Sequence, residues 1–286
     1  GDGLTSLCTS TEPVRRWLRE AVGQLMERAP RVAGLILISA SENPTNCYSL
    51  RRKTGCPRCA RRSAAAVIGA VVDEIRQGAG HARVLAWDWS WGIVEDDPQR
   101  AVIEALPRGV TLQVDFERGT PAERMGRRTL IDEYSLSIPG PSPRAERHIA
   151  QARQRGLPAM AKVQIGNSWE LGLLPFVPVP DLIAAKCAAL RRSGVQGAML
   201  SWTLGTWPSA NWLVARAYFG DKVPAEEEVL QRAAVERYGR TGVVGARRAW
   251  TLFSRAFAEY PYSNTLVYSS VVQQGPAHPV WLESRP

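Results

Sequence analysis

Carboxylate side chains recur just after short apolar segments of the sequence. The carboxylates in these positions are Glu42, Asp88, Asp115, Glu117 and Glu170. Cleavage of a glycosidic bond generally needs two carboxyl groups, one to protonate the leaving group and one to attack the sugar or activate water. Of these residues, we take Glu42, Glu170, Asp88 and Asp115 as the candidate catalytic groups. The alternative, open for each of them, is a salt bridge to one of the many arginines.

Glu42 is the best candidate for a general acid. It follows an apolar segment, and its neighbours Ser41 and Asn43 can orient it. A half-buried glutamate beside tryptophan has a raised pKa, which a general acid requires.

Tryptophan is concentrated in the same positions. Seven of the ten Trp residues lie just after the apolar segments. Indole faces stack on the C–H faces of pyranose rings, and neighbouring amides bind the hydroxyls, so these positions predict a carbohydrate site. The alternative is that the indoles only fill the end of the core. The candidate substrate-binding residues are Asn43, Trp87, Trp89, Trp91, Asn167, Trp169, Trp202 and Trp207.

Four cysteines form a candidate metal site. Cys56 and Cys59 have C-x-x-C spacing at the start of a predicted helix. Cys47 lies nine residues before Cys56, and Cys8 lies far upstream. Four thiolates in tetrahedral array hold structural Zn²⁺, and such a site leaves no open position for catalysis. Two disulfides, or a redox pair at Cys56 and Cys59, are the alternatives. Cys187, in the middle of a predicted helix, is expected to be a core residue.

Composition excludes some classes of protein. Hydrophobic residues make up 45% and charged residues 22% of the 286 residues, as in a folded globular protein. The apolar segments are too short to span a membrane. The net charge of +9 comes from arginines scattered in pairs, so exposed helix faces are favoured over a nucleic-acid surface. No signal peptide pattern is present, and a bacterial cytoplasmic location is favoured.

Apolar segments alternate with amphipathic helical stretches, which predicts an α/β fold with a parallel sheet. The predicted strands cover residues 32–39, 83–88, 110–116, 160–165 and 197–202. The predicted helices of the C-terminal half include 180–192, 226–238 and 243–260. We expect a partial (β/α)₈-type barrel of about five units, because working residues of such barrels follow the carboxyl ends of the strands. A complete doubly wound open sheet is the alternative, although no glycine-rich phosphate loop follows any strand. The predicted domains are a barrel portion over 1–220 and a helical extension with a Pro-rich tail over 221–286.

The cysteine and carboxylate layout resembles the zinc-containing β-galactosidases of glycoside hydrolase family forty-two. There, one cysteine precedes the acid/base glutamate and three follow it, as Cys8 precedes Glu42 and the other three follow. The resemblance implies that Glu42 is the acid/base, that the five strands are strands four to eight of a barrel, and that Glu170 is the nucleophile. The strand ending at Trp202 is also similar to that of family-twenty hexosaminidases.

The sequence therefore predicts a glycoside hydrolase that acts on β-galactosides or related β-glycosides, with a retaining mechanism and structural zinc but no organic cofactor. The rival is a non-catalytic carbohydrate-binding or structural module. Because five units do not close a barrel, we expect a homo-oligomer, or a missing N-terminal barrel portion. Nucleic-acid and membrane partners are not expected.

Overall fold

The computed structural model describes residues 6–41, 43–49, 54–97, 99–166, 170–171, 174, 176–202 and 208–262. The α-helices are α1 (Glu12–Arg28), α2 (Ala64–Gly78), α3 (Arg100–Ala105), α4 (Pro143–Gln154), α5 (Pro180–Arg192), α6 (Ala210–Tyr218) and α7 (Glu226–Ala258). The strands are β1 (Gly34–Ile38), β2 (Arg83–Trp87), β3 (Val110–Asp115), β4 (Thr120–Arg124), β5 (Arg127–Ile131), β6 (Ala159–Val163) and β7 (Ala198–Leu200). Short 3₁₀ turns cover Cys59–Arg61 and Trp91–Ile93.

Five strands form a parallel sheet in the order β1-β2-β3-β6-β7. Register pairs Gly34 with Arg83 and Trp87 with Gln113. This order follows the chain without reversal, whereas a doubly wound sheet reverses at a switch point. The observed order is that of consecutive units of a (β/α) barrel. The predicted α/β fold is confirmed, and the sheet is consistent with part of a barrel.

The chain divides into two compact units, residues 1–115 with 147–160 and residues 116–146 with 161–286. In the first unit, α2 packs against both α1 and α3. Gly78 allows the close approach of α1, because a Cβ there would lie 2.3 Å from the carbonyl oxygen of Arg19. The predicted division at residue 220 stays a prediction.

In the second unit, α5 packs against α6 and α7. The long α7 is kinked at Gly239, where φ is +70°, and this matches the two separate helices predicted over 226–238 and 243–260. The antiparallel strands β4 and β5 form a hairpin whose turn residues, Met125 and Gly126, both have positive φ. Such φ values match the twist of two-residue hairpin turns.

Most predicted elements are confirmed. Helix α5 has the predicted bounds, and all five strands of the main sheet lie within the predicted segments to within one residue. The hairpin was not predicted. Within the described residues, no helix combines the length and apolar character needed to cross a bilayer.

Candidate functional site

The four predicted metal-binding cysteines converge in the first unit. The Sγ atoms of Cys8, Cys47, Cys56 and Cys59 all lie within 4.8 Å of one another. Cys8 Sγ is 3.6 Å from Cys56 Sγ and 3.7 Å from Cys59 Sγ. An ion about 2.3 Å from four tetrahedral sulfurs would hold them about 3.8 Å apart, so the cluster has the dimensions of a tetrahedral metal site.

Covalent pairing does not account for this cluster. All four cysteines are free, and a disulfide would bring two sulfurs to about 2.05 Å. Two disulfides, an alternative that the sequence left open, are not present in this structure. Cys187 is also free and buried in α5, and burial raises its pKa to about 12. It behaves as the predicted core residue.

The local backbone favours thiolate at one position of the cluster. Backbone N–H groups of Cys59 and Arg58 lower the pKa of the Cys56 thiol to about 6. Burial, together with the neighbouring sulfurs, raises the pKa of Cys47 to about 12. Because a metal binds the thiolate form, Cys56 is the thiol best prepared to accept a metal ion first.

The segment between β1 and the cluster is pinned by its own polar side chains. The carbonyl oxygen of Ser39 accepts from Thr45 Oγ1 (3.1 Å) and from Asn46 Nδ2 (2.6 Å). Tyr48 Oη donates to the carbonyl oxygen of Cys59 at 3.1 Å. Asn43 lies exposed in this segment, and Glu42 lies outside the described residues. The cysteine cluster is thus linked, through Tyr48 and Cys59, to the segment of the sequence that contains Glu42.

Asp88 and Asp115 form a buried network at the carboxyl ends of β2 and β3. Asp88 Oδ1 accepts from the backbone N–H of Asp115 at 2.9 Å, and Asp88 Oδ2 lies 2.7 Å from His148 Nδ1. Asp115 Oδ1 accepts from Trp87 Nε1 at 2.8 Å. Asp88, Asp115 and His148 are fully buried. Asp88 therefore joins β2 to β3 and to α4.

Two of the candidate sugar-binding tryptophans lie in the core of the first unit. Trp87 and Trp91 are fully buried, and their indole N–H groups donate to Asp115 and to Ser39 respectively. Trp89 is partly exposed, and its ring centroid is 6.1 Å from that of Trp87. Of these three indoles, Trp89 is the one with surface to offer a ligand.

The second unit contains a buried ion pair that follows β3. Lys186 Nζ, from α5, lies 2.7 Å from Glu117 Oε1, and both side chains are fully buried. The ammonium also donates to the carbonyl oxygens of Ser135 (2.7 Å) and Gln164 (3.0 Å). The backbone N–H of Gln164 donates to the same Glu117 oxygen at 2.8 Å. Three acceptors thus fix the position of the Lys186 ammonium.

Glu170 lies in the same neighbourhood and is also fully buried. Ser135 Oγ donates to its Oε1, and the backbone N–H of Leu136 donates to its Oε2 at 3.3 Å. Tyr260 Oη donates to its carbonyl oxygen at 2.9 Å. Ser135 therefore contacts Glu170 through its hydroxyl and Lys186 through its carbonyl oxygen, which links two buried carboxylates, Glu170 and Glu117, through one residue.

The end of β7 is strained and leads to an exposed indole. Ser201 has φ +69°, a conformation that costs about 1–3 kcal/mol for a residue with a side chain. Its Oγ accepts from the backbone N–H of Gly166 at 2.8 Å, which helps to hold it. Trp202 follows and is 37% exposed. Asn167, Trp169 and Trp207 lie outside the described residues.

Sequence reasoning missed the partners of these carboxylates. His148 and Lys186 lie on helices, 60 and 69 residues from Asp88 and Glu117. A lysine on an otherwise apolar helix face indicates a buried partner of opposite charge, and Lys186 lies among apolar residues of α5. This pattern could have been read from the sequence.

No protein family model matches the chain, and no curated protein matches it. Its function is therefore inferred from the residues themselves. The clearest features are the four-cysteine cluster in the first unit and the linked carboxylates in the second.

Proposed function

We propose that this chain is a glycoside hydrolase of the (β/α) barrel type, braced by structural Zn²⁺. The observation that carries the proposal is the convergence of Cys8, Cys47, Cys56 and Cys59 to within 4.8 Å. These cysteines precede and follow Glu42 in the order on which the resemblance to zinc-containing β-galactosidases rests.

The four sulfurs fit Zn²⁺ by number, chemistry and spacing. Bound there, zinc would supply cross-linking, because four thiolates leave it no position for water or substrate. It would fix Cys47 relative to Cys8, and so limit the freedom of the segment that begins at Ser39.

The proposed reaction uses paired carboxyl groups. Glu42 is the general acid/base, and Glu170 is the proposed nucleophile. Asp88 and Asp115 are the alternative candidates for these catalytic roles. Both oxygens of Asp88 already have hydrogen-bond partners, His148 and the backbone N–H of Asp115. Trp89 in the first unit and Trp202 in the second are each partly exposed, and each can offer an indole face to a sugar ring.

The test is hydrolysis of a panel of fluorogenic glycosides, including β-galactoside, β-glucoside and N-acetyl-β-hexosaminide, by the zinc-loaded protein. We expect wild type to hydrolyse at least one β-glycoside. The variant Glu170→Gln should lose this activity, and the exposed control Glu123→Gln should keep it. A sample that contains one zinc per chain and hydrolyses none of the panel would contradict the enzymatic proposal. The configuration of the first-formed product tests retention, and inversion would contradict it.

The second candidate is a non-catalytic carbohydrate-binding or structural module that requires a partner, and one observation favours it. In the described residues β1 has a strand neighbour on one side only, and its Ile36 is 45% exposed. An apolar cavity of about 400 Å³ lies between β1, α1 and α2. We expect a second copy of the chain to cover this edge, and the mass in solution by light scattering tests it. A dimer without glycosidase activity would favour the module, and a monomer would contradict the expected covering of this edge.

A further inference from the structure

Glu117 differs from Glu170, another buried carboxylate of the second unit, in how its two oxygens are used. Oε1 takes both interactions, from Lys186 Nζ at 2.7 Å and from the Gln164 N–H at 2.8 Å. Oε2 is buried and has no hydrogen-bond partner among the described residues. In Glu170, by contrast, each oxygen has a protein donor.

A buried carboxylate oxygen without a donor is expensive. Leaving such a polar atom unpaired destabilises the fold, and the cost is larger when the group is charged. If Glu117 served only to neutralise Lys186, its Oε1 contact would be sufficient, and the second oxygen would gain from a local donor. An oxygen that has no donor within the described part of the chain is suited to a donor that arrives with a ligand.

The surrounding donors fix the position of the Glu117 carboxylate. Lys186 is held by three acceptors and cannot turn away without losing them. A second buried ammonium, Lys162 Nζ, donates to Gln164 Oε1 at 3.0 Å and lies 3.0 Å from the centroid of the Tyr134 ring. The side-chain amide of Gln164 therefore faces a cation, while its backbone N–H supports the Glu117 carboxylate.

The position in the sheet suits a sugar ligand. Glu117 and Gln164 lie at neighbouring strand ends, since the backbone N–H of Phe116 donates to the carbonyl oxygen of Lys162. The paired register of β6 with β7 ends at Val163 and Leu200. Gln164 and Ser201, the strained residue before the exposed Trp202, directly follow that pair. A carboxylate oxygen that accepts from a hydroxyl, and an indole face for ring C–H groups, are the elements of carbohydrate recognition.

We propose that Glu117 Oε2 binds a pyranose ligand, by accepting a hydrogen bond from a ring hydroxyl and by attracting positive charge at the ring. The inference rests on the proposed function for its ligand class, and it assigns a binding role to a residue outside the Glu42 and Glu170 pair. Lys186 is the counter-ion that orients the carboxylate.

The probe is a cationic iminosugar, deoxynojirimycin or its galacto isomer, because its ammonium resembles the charge that develops on a sugar ring during glycoside cleavage. Dissociation constants are measured by calorimetry for wild type, Glu117→Gln and the exposed control Glu123→Gln. Glu117→Gln strips the charge partner from a buried ammonium, so Glu117→Gln with Lys186→Gln is measured as well, and circular dichroism checks the folding of each.

We expect the folded Glu117 variants to bind at least about tenfold more weakly, since a charge-assisted hydrogen bond is lost, and Glu123→Gln to bind as wild type does. Folded Glu117 variants that bind like wild type would overturn the inference, while glycoside turnover by wild type would leave the proposed function standing. Binding that depends on Glu117, in a protein that hydrolyses no glycoside, would support the inference and contradict the proposed function. Absence of iminosugar binding to wild type would overturn the inference.

Discussion

Replacing Lys186 by methionine should destabilise the second unit more than any other single substitution of a lysine in the described residues. Methionine fills similar space but removes the ammonium that lies 2.7 Å from Glu117 Oε1 and 2.7 Å from the carbonyl oxygen of Ser135. The carboxylate then stays buried with one backbone donor, Gln164 N–H. Removing one partner of a buried ion pair costs about 3–5 kcal/mol, because an uncompensated charge remains.

The assay is urea denaturation followed by tryptophan fluorescence, with the free energy of unfolding compared between variants. Lys222→Met is the matched control, because Lys222 is exposed and its loss should change stability by no more than about 0.5 kcal/mol. Adding Glu117→Gln to Lys186→Met removes the stranded charge and should recover about 1–4 kcal/mol. A loss below about 1 kcal/mol for Lys186→Met, or no recovery in the double variant, would refute the role assigned to this ion pair.

Three further predictions concern the metal cluster and the end of β6. Cys59→Ser should abolish stoichiometric zinc binding and lower the thermal stability of the first unit, as metal analysis and calorimetry would show; full zinc retention would contradict the four-cysteine site. In metal-free protein, iodoacetamide should label Cys56 before Cys187 at pH 7, because only the thiolate reacts and their pKa values are about 6 and about 12. Labelling of Cys56 should slow as the pH falls through about 6. A rate that does not depend on pH would argue against a lowered pKa of Cys56. Gly166→Ala should cost about 1–3 kcal/mol through overpacking, since its Cβ would lie 3.0 Å from the Trp212 ring; unchanged unfolding would show that the indole moves freely.

The strands of the main sheet were predictable because they are short, nearly continuous apolar runs, as buried strands of a parallel sheet are. Helix α5 begins at a proline and ends at two arginines, Arg191 and Arg192, and both signals stand in the sequence. The hairpin was missed because β4 and β5 carry arginines and a proline, and their exposed faces hide the alternation expected of a half-buried strand.

The site was predictable in part, and the limit lies in long-range contacts. The spacing of the cysteines predicted their convergence, because C-x-x-C places two ligands in one turn and only two more had to be found. The buried indole N–H groups of Trp87 and Trp91 donate to residues distant in the sequence, Asp115 and Ser39 respectively. No local pattern distinguishes such an indole from one that faces a ligand.

The central claim is that Glu42 acts as a general acid in glycoside cleavage. The most direct measurement compares wild type with Glu42→Gln on two β-glycosides of the same sugar. In one the leaving group is an acidic phenol, and in the other it is a second sugar. We predict a loss of about a hundredfold or more on the poor leaving group, which needs protonation, and a much smaller loss in cleavage of the activated aryl glycoside. Equal activity of the two proteins on both substrates, or no hydrolysis by wild type, would contradict the claim.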